Sequence, residues 1–184
     1  MTEVPDPTHE FDWPDRAVIG TLGRPGQRTF YLQARAGTRM MSVALEKLQA
    51  ALLADKIDEI LDELMDEDGN PHSVPVSTPV ELVDNDPLDA VEESFRVGTL
   101  GLGWDPSTAQ VVIDAYPIVE GDDEEDAETH VDADAEMLRI RMPVGSARAF
   151  TLRTREVVDA GRPLCTLCGH PIDPDGHTCA LPES

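Results

Sequence analysis

Three cysteines and a histidine within residues 165–179 are the residues best suited to chemistry. The tail reads Cys165-Thr-Leu-Cys168-Gly169-His170, then the turn sequence Asp173-Pro-Asp-Gly176, then His177-Thr-Cys179. Two cysteines at a two-residue gap before a glycine form the first half of a zinc knuckle, because the glycine lets the chain bend back and turn N–H groups toward sulfur. His177 and Cys179 are two apart on extended chain and point to one side. The expected ligands are therefore Cys165, Cys168, His177 and Cys179, a set that uses every cysteine present. Three thiolates and one imidazole suit Zn2+. His170 is the rival fourth ligand, disfavoured because it directly follows the knuckle glycine. Four protein ligands leave no open position for water, and no His-Glu-x-x-His pattern accompanies them, so the expected zinc is structural. Three cysteines cannot pair completely as disulfides, which suits a reducing compartment.

The second chemical set is the arginines. The chain carries 37 Asp plus Glu against 14 Lys plus Arg, a formal charge of −23 over 184 residues. The acids are concentrated: residues 55–93 hold 14 acids and one lysine, and residues 114–136 hold 11 acids and no base. The arginines lie outside those stretches. Arg35, Arg39, Arg139, Arg141, Arg148 and Arg153 are candidate anion-binding residues, since a guanidinium grips phosphate or carboxylate with two parallel hydrogen bonds. The competing expectation is that they pair with the acidic helix and connector of the same chain. Net charge of this sign argues against nucleic acid and anionic membrane as partners.

These residues must be positioned by elements that the hydrophobic pattern reveals. Residues 1–15 read as a flexible arm. Residues 17–22, 29–34 and 40–45 read as three strands, the first two joined by a turn at Arg24-Pro-Gly-Gln27. From Leu45 to Met65 the apolar residues recur at steps of three and four, an amphipathic helix whose other face is acidic. Gly69, Asn70 and Pro71 stop it. The proline-rich connector 71–93 reads as surface chain. Strands follow over 94–101, 110–116 and 137–142; the last alternates strictly, with Leu138 and Ile140 on one face and Arg139 and Arg141 on the other. An acidic loop is expected over 120–136, and a helix from Pro143 or Ser146 to about Ala160.

Ile19-Gly-Thr-Leu-Gly23 matches Val97-Gly-Thr-Leu-Gly101 at an offset of 78. With the shared order of elements this implies a β-β-β-α unit used twice, over about 16–70 and 94–162. The expected fold is α+β, an antiparallel sheet with two packed helices, followed by a small zinc knuckle over 163–184. Two weaker motifs carry no chemistry. Gly98 to Gly103 lacks the lysine and helix of a phosphate loop, and Asp66 to Asn70 lacks the spacing of a calcium loop.

Gly26-Gln-Arg-Thr-Phe-Tyr-Leu-Gln-Ala-Arg35, Val43-Ala-Leu-Glu-Lys47, Gly98-Thr-Leu-Gly-Leu-Gly-Trp104-Asp and the terminal Cys-x2-Cys-Gly with Asp-Pro-x-Gly-His-x-Cys resemble an uncharacterised actinobacterial domain-of-unknown-function family. The resemblance spans nearly the whole chain, with Thr166 where proline is common. It implies a cytosolic protein of this size and a phosphate-related pathway, and it brings no assigned activity.

No apolar run approaches the length of a membrane span, and the first residues are acidic rather than a signal peptide. The expectation is a cytoplasmic, non-enzymatic, zinc-binding protein that acts on a protein partner. The alternative is a protein or enzyme that takes a phosphorylated small molecule on its arginine-rich sheet face. Binding of single-stranded nucleic acid is a more distant third.

Overall fold

The computed structural model describes residues 9–24, 27–118, 136–160, 165–169, 172 and 178–179. The turn at Pro25-Gly26, the expected acidic loop apart from Glu136, and His170 and His177 lie outside them. Seven strands form one sheet. They are β1 (His9–Asp12), β2 (Arg16–Leu22), β3 (Thr29–Ala36), β4 (Arg39–Leu45), β5 (Glu93–Asp105), β6 (Gln110–Pro117) and β7 (Leu138–Pro143), with helix α1 (Lys47–Asp66) after β4 and α2 (Val144–Asp159) after β7.

The strand order is β1-β7-β6-β5-β4-β3-β2. Within β2-β3-β4 and within β5-β6-β7 all neighbours are antiparallel. The sheet as a whole is mixed, a correction to the all-antiparallel expectation, because β4 and β5 run parallel, as do β1 and β7. The cause is connectivity. The chain leaves β4 through α1 and the connector, and such a crossover returns a strand in the same sense. The two three-stranded units therefore stand side by side in the same orientation.

β1 is a second correction. His9–Asp12 falls in the stretch read as a loose arm, yet it pairs with β7, Phe11 opposite Ile140, and Phe11 is buried. Four residues are too few to show a period; the pairing comes from the far end of the chain.

Residues 13–15 alone join β1 to β2, the two ends of the strand order. Their reach is about 14 Å, whereas the edges of a flat seven-stranded sheet are about 29 Å apart. The sheet must curl until its edges approach. Arg39 accordingly bonds the Glu10 carbonyl at 2.7 Å and lies over the Phe11 ring, and the Gly37 N–H donates to Asp15 at 2.7 Å.

One buried core fills the curl. Ile19, Leu32 and Val43 form one row across the first unit, and Val111 and Met142, then Ile113 and Ile140, form rows across the second. α1 adds Leu53, Ile57, Leu61 and Leu64, and α2 adds Ala147 and Phe150. Leu45 begins the helical period but ends β4; the helix starts behind a Glu46–Gln49 capping box. It stops where Gly69 and Asn70 take left-handed φ of 79° and 45°. The connector packs more closely than a surface chain would. Leu88 lies against Gly20 so tightly that a Cβ there would meet it at 2.6 Å, and Asp89 exchanges two hydrogen bonds with the buried Gln33 amide.

Leu32→Ala should lower unfolding free energy by about 2–5 kcal/mol, measured by urea melts. Leu52→Ala, at an exposed site of α1, should stay within about 0.5 kcal/mol.

Candidate metal centre

Cys165, Cys168 and Cys179 converge, with their sulfur atoms all within 4.8 Å of one another. The Cys165 and Cys179 sulfurs are 3.7 Å apart. That is too long for a disulfide, whose sulfurs are bonded at about 2.05 Å, and all three thiols are free. It matches a shared metal: two sulfurs each ~2.3 Å from a tetrahedral Zn2+ lie about 3.8 Å apart.

The turn that builds the site follows from its residues. Gly169 takes φ 72°, a conformation that costs glycine little. Its N–H donates to the Cys165 carbonyl at 2.9 Å, closing the loop, and the Leu167 N–H points at the Cys165 sulfur at 3.4 Å. Backbone N–H donation from Cys168, then Leu167, lowers the Cys165 thiol to about 6, so a thiolate is prepared before any metal arrives. Cys179 is pushed up to about 12, first by its hydrogen bond with Cys168 and then by burial and by Cys165. Bringing all three sulfurs to the thiolate form would need a cation beside them, which a divalent metal would supply. Three sulfurs in this arrangement can hold a soft or borderline metal ion; the fourth expected ligand, His177, lies outside the described residues.

The six candidate arginines do not gather into one pocket. Arg35 pairs with Asp89 at 2.9 Å. Arg39 bonds a carbonyl and covers Phe11. Arg139 and Arg141 share the outer face of β7, but Arg139 grips Asp114 through two bonds of 2.7 and 2.9 Å, and Arg141 holds Glu10 at 2.7 Å and Asp105 at 2.8 Å. Arg148 is buried between the helices, on Asp58 at 2.9 Å and Asp62 at 2.7 Å. Arg155 beside it takes Asp55 and Asp58. Arg153 is buried at the other side of α2, against the Ile19 and Asp84 carbonyls.

Arg16 was missed by the sequence reading. It is 8 % exposed and holds Asp84 through bonds of 2.6 and 3.1 Å, with Asp89 at 3.3 Å. It opens a strand whose burial the surrounding sequence does not announce. Trp13 is 64 % exposed in a left-handed conformation with φ 49°.

Asp84 titrates below the ordinary carboxylate range, chiefly through the Arg16 hydrogen bond. A carboxylate with a lower pKa folded than unfolded stabilises fully above the unfolded value, about 4, and loses that contribution as pH falls through the folded value. Wild-type stability should therefore drop below pH 4. Asp84→Asn should be less stable at neutral pH and show a shallower acid dependence, read from thermal melts across pH 2–7.

No curated protein and no solved structure matches the sequence. A family model described as "Protein of unknown function (DUF3090)" matches residues 9–179, from the first strand through the last cysteine of the cluster. The chain is a member of that family.

Proposed function

We propose that this chain is a zinc-stabilised, non-enzymatic binding protein. The 3.7 Å spacing of Cys165 and Cys179, with Cys168 beside them, carries the reading. The edge of a tetrahedral Zn2+ site fits that spacing, three thiolates and an imidazole are a zinc-type donor set, and His177 is the fourth ligand that completes and closes the shell. Its role is to hold a tail too short to bury a core of its own.

A protein partner fits the outer surface better than a phosphorylated metabolite on the arginine-rich sheet face. Arg139 and Arg141 are already engaged by Asp114, Glu10 and Asp105. The free surface lies elsewhere. β4 pairs with β5 only at Ser42–Glu93 and Ala44–Arg96, so residues 98–105 have no strand on that side among the described residues. Leu52 and Leu53 of α1 face Leu100 and Leu102 there, lining an apolar groove of about 220 Å3. Leu48, on the same helix, is 69 % exposed. An extended segment added to this edge would complete backbone hydrogen bonds and cover leucine.

Protein purified from its native host should contain one zinc per chain by elemental analysis, with a stoichiometric partner in the same sample. Cys165→Ser and His177→Ala should lose the metal and His170→Ala should keep it. Leu52→Asp should lose the partner and keep the zinc. A metal-free wild-type protein with an intact fold, or full zinc occupancy in Cys179→Ser, would refute the ligand set.

A further inference from the structure

A concavity lies at the seam where the curled sheet brings its edges together. It encloses about 640 Å3 between the start of β2, residues 81–86 of the connector, and one face of α2. Val18, Met142, Phe150 and Arg153, each under 9 % exposed, line it deep inside. Trp13 stands exposed at its mouth.

Arg153 is the charge in this wall that the protein leaves poorly matched. It is 6 % exposed. Its Nε donates to the Ile19 carbonyl at 3.1 Å and its Nη1 to the Asp84 carbonyl. Its one carboxylate contact, Asp84 Oδ1, is 3.4 Å away, and that carboxylate is held more closely by Arg16 at 2.6 and 3.1 Å. Arg153 Nη2 has no hydrogen-bond acceptor among the described residues. Burial is the largest influence on Arg153 and works against its charge; Asp84 comes next and favours the charge, Arg16 repels it, and Asp86 and Glu156 favour it more weakly.

The acids of the lining do not repair this. Asp84 is committed to Arg16, and Asp15, Glu81 and Asp86 are exposed, where water screens them. A charge in water counts for less than one removed from it, so the buried cation sets the preference of the interior. α2 adds to it. Its cap, Pro143, offers no side-chain acceptor and its first turn carries no acid, while Ser146 of that turn lines the cavity. The first turn of the helix therefore supplies no charge of its own to offset the positive end of the dipole.

We propose that this cavity binds a small organic anion, its oxyanion head on Arg153 and its planar or apolar body against Met142, Phe150 and Trp13. A carboxylate and a phosphate monoester share that chemistry. Glu81 and Asp86 at the mouth disfavour a second anionic group on the body. The site lies in the sheet–helix domain and needs no metal.

Calorimetric titration of the full chain with benzoate, phenyl phosphate, inorganic phosphate and benzylamine tests this. Benzoate or phenyl phosphate should bind saturably, the stronger of the two naming the head group. Inorganic phosphate should bind more weakly and benzylamine not at all. Arg153→Gln should raise the dissociation constant about tenfold or more, the loss of one charge-assisted hydrogen bond. Ser146→Phe should block the cavity while leaving the Arg153 bonds in place, which covers the case in which Arg153→Gln fails to fold. The metal-free Cys165→Ser variant should bind like wild type, separating this site from the zinc tail. Absence of saturable binding by both aromatic anions, binding of benzylamine in their place, or binding unchanged by Ser146→Phe would overturn the proposal.

Discussion

Three residues of chain between β1 and β2 constrain everything else in this molecule. Residues 13–15 tie together strands that stand at opposite ends of the sheet order, and a tether that short admits only a curled sheet. The curl gathers one core from both units, puts Phe11 under Arg39, and leaves a seam where the edges meet. β1 fills beside β7 the place that β5 fills beside β4, a parallel neighbour in both cases. Without β1 the outer edge of β7 would be bare, which makes a four-residue strand more important to the fold than its length suggests.

Charge is the second constraint. A chain with net charge −23 repels itself when compact, and this one places its arginines where acids from different elements converge. Arg148 and Arg155 join the acidic face of α1 to α2. Arg16 and Arg35 pin the connector through Asp84 and Asp89. Arg139 and Arg141 tie β7 to β6, β1 and β5 on the outer face. Such pairs are weak in water and stronger where the sheet and helices exclude it, and Arg148, Arg16 and Arg153 are the buried members. The acidic face of α1, which the sequence presents as a solvated surface, is in part the contact with α2.

What the sequence revealed follows how local each feature is. Six strands and both helices were legible because each carries its own period, as in Leu138-Arg139-Ile140-Arg141-Met142. The cysteine cluster was legible because Cys-x2-Cys-Gly encodes its turn within five residues. β1 was not, since its four residues gain meaning only from β7. The parallel β4–β5 pair was not, since it depends on the path through α1 and the connector. Arg16 looked like any base before a strand; its burial comes from Asp84, 68 residues away. The arginines could be picked out by type, but whether they were free depended on carboxylates that only the fold brings near.

The two regions with chemical capacity differ in how they arise. The cysteine cluster is local, built by a turn of its own, and an ion that closes it changes little in the sheet. The seam cavity is global: it exists because the sheet curls, because α2 lies across the gap, and because Asp84 is shared between two guanidiniums and serves Arg16 better. A pocket of purely structural origin has no reason to keep a desolvated cation short of carboxylate when Glu81 and Asp86 stand a few residues away on the same connector. The chain instead leaves both in water and bonds Arg153 to carbonyls. That arrangement costs stability as an empty cavity, and an anion bound within it recovers the loss.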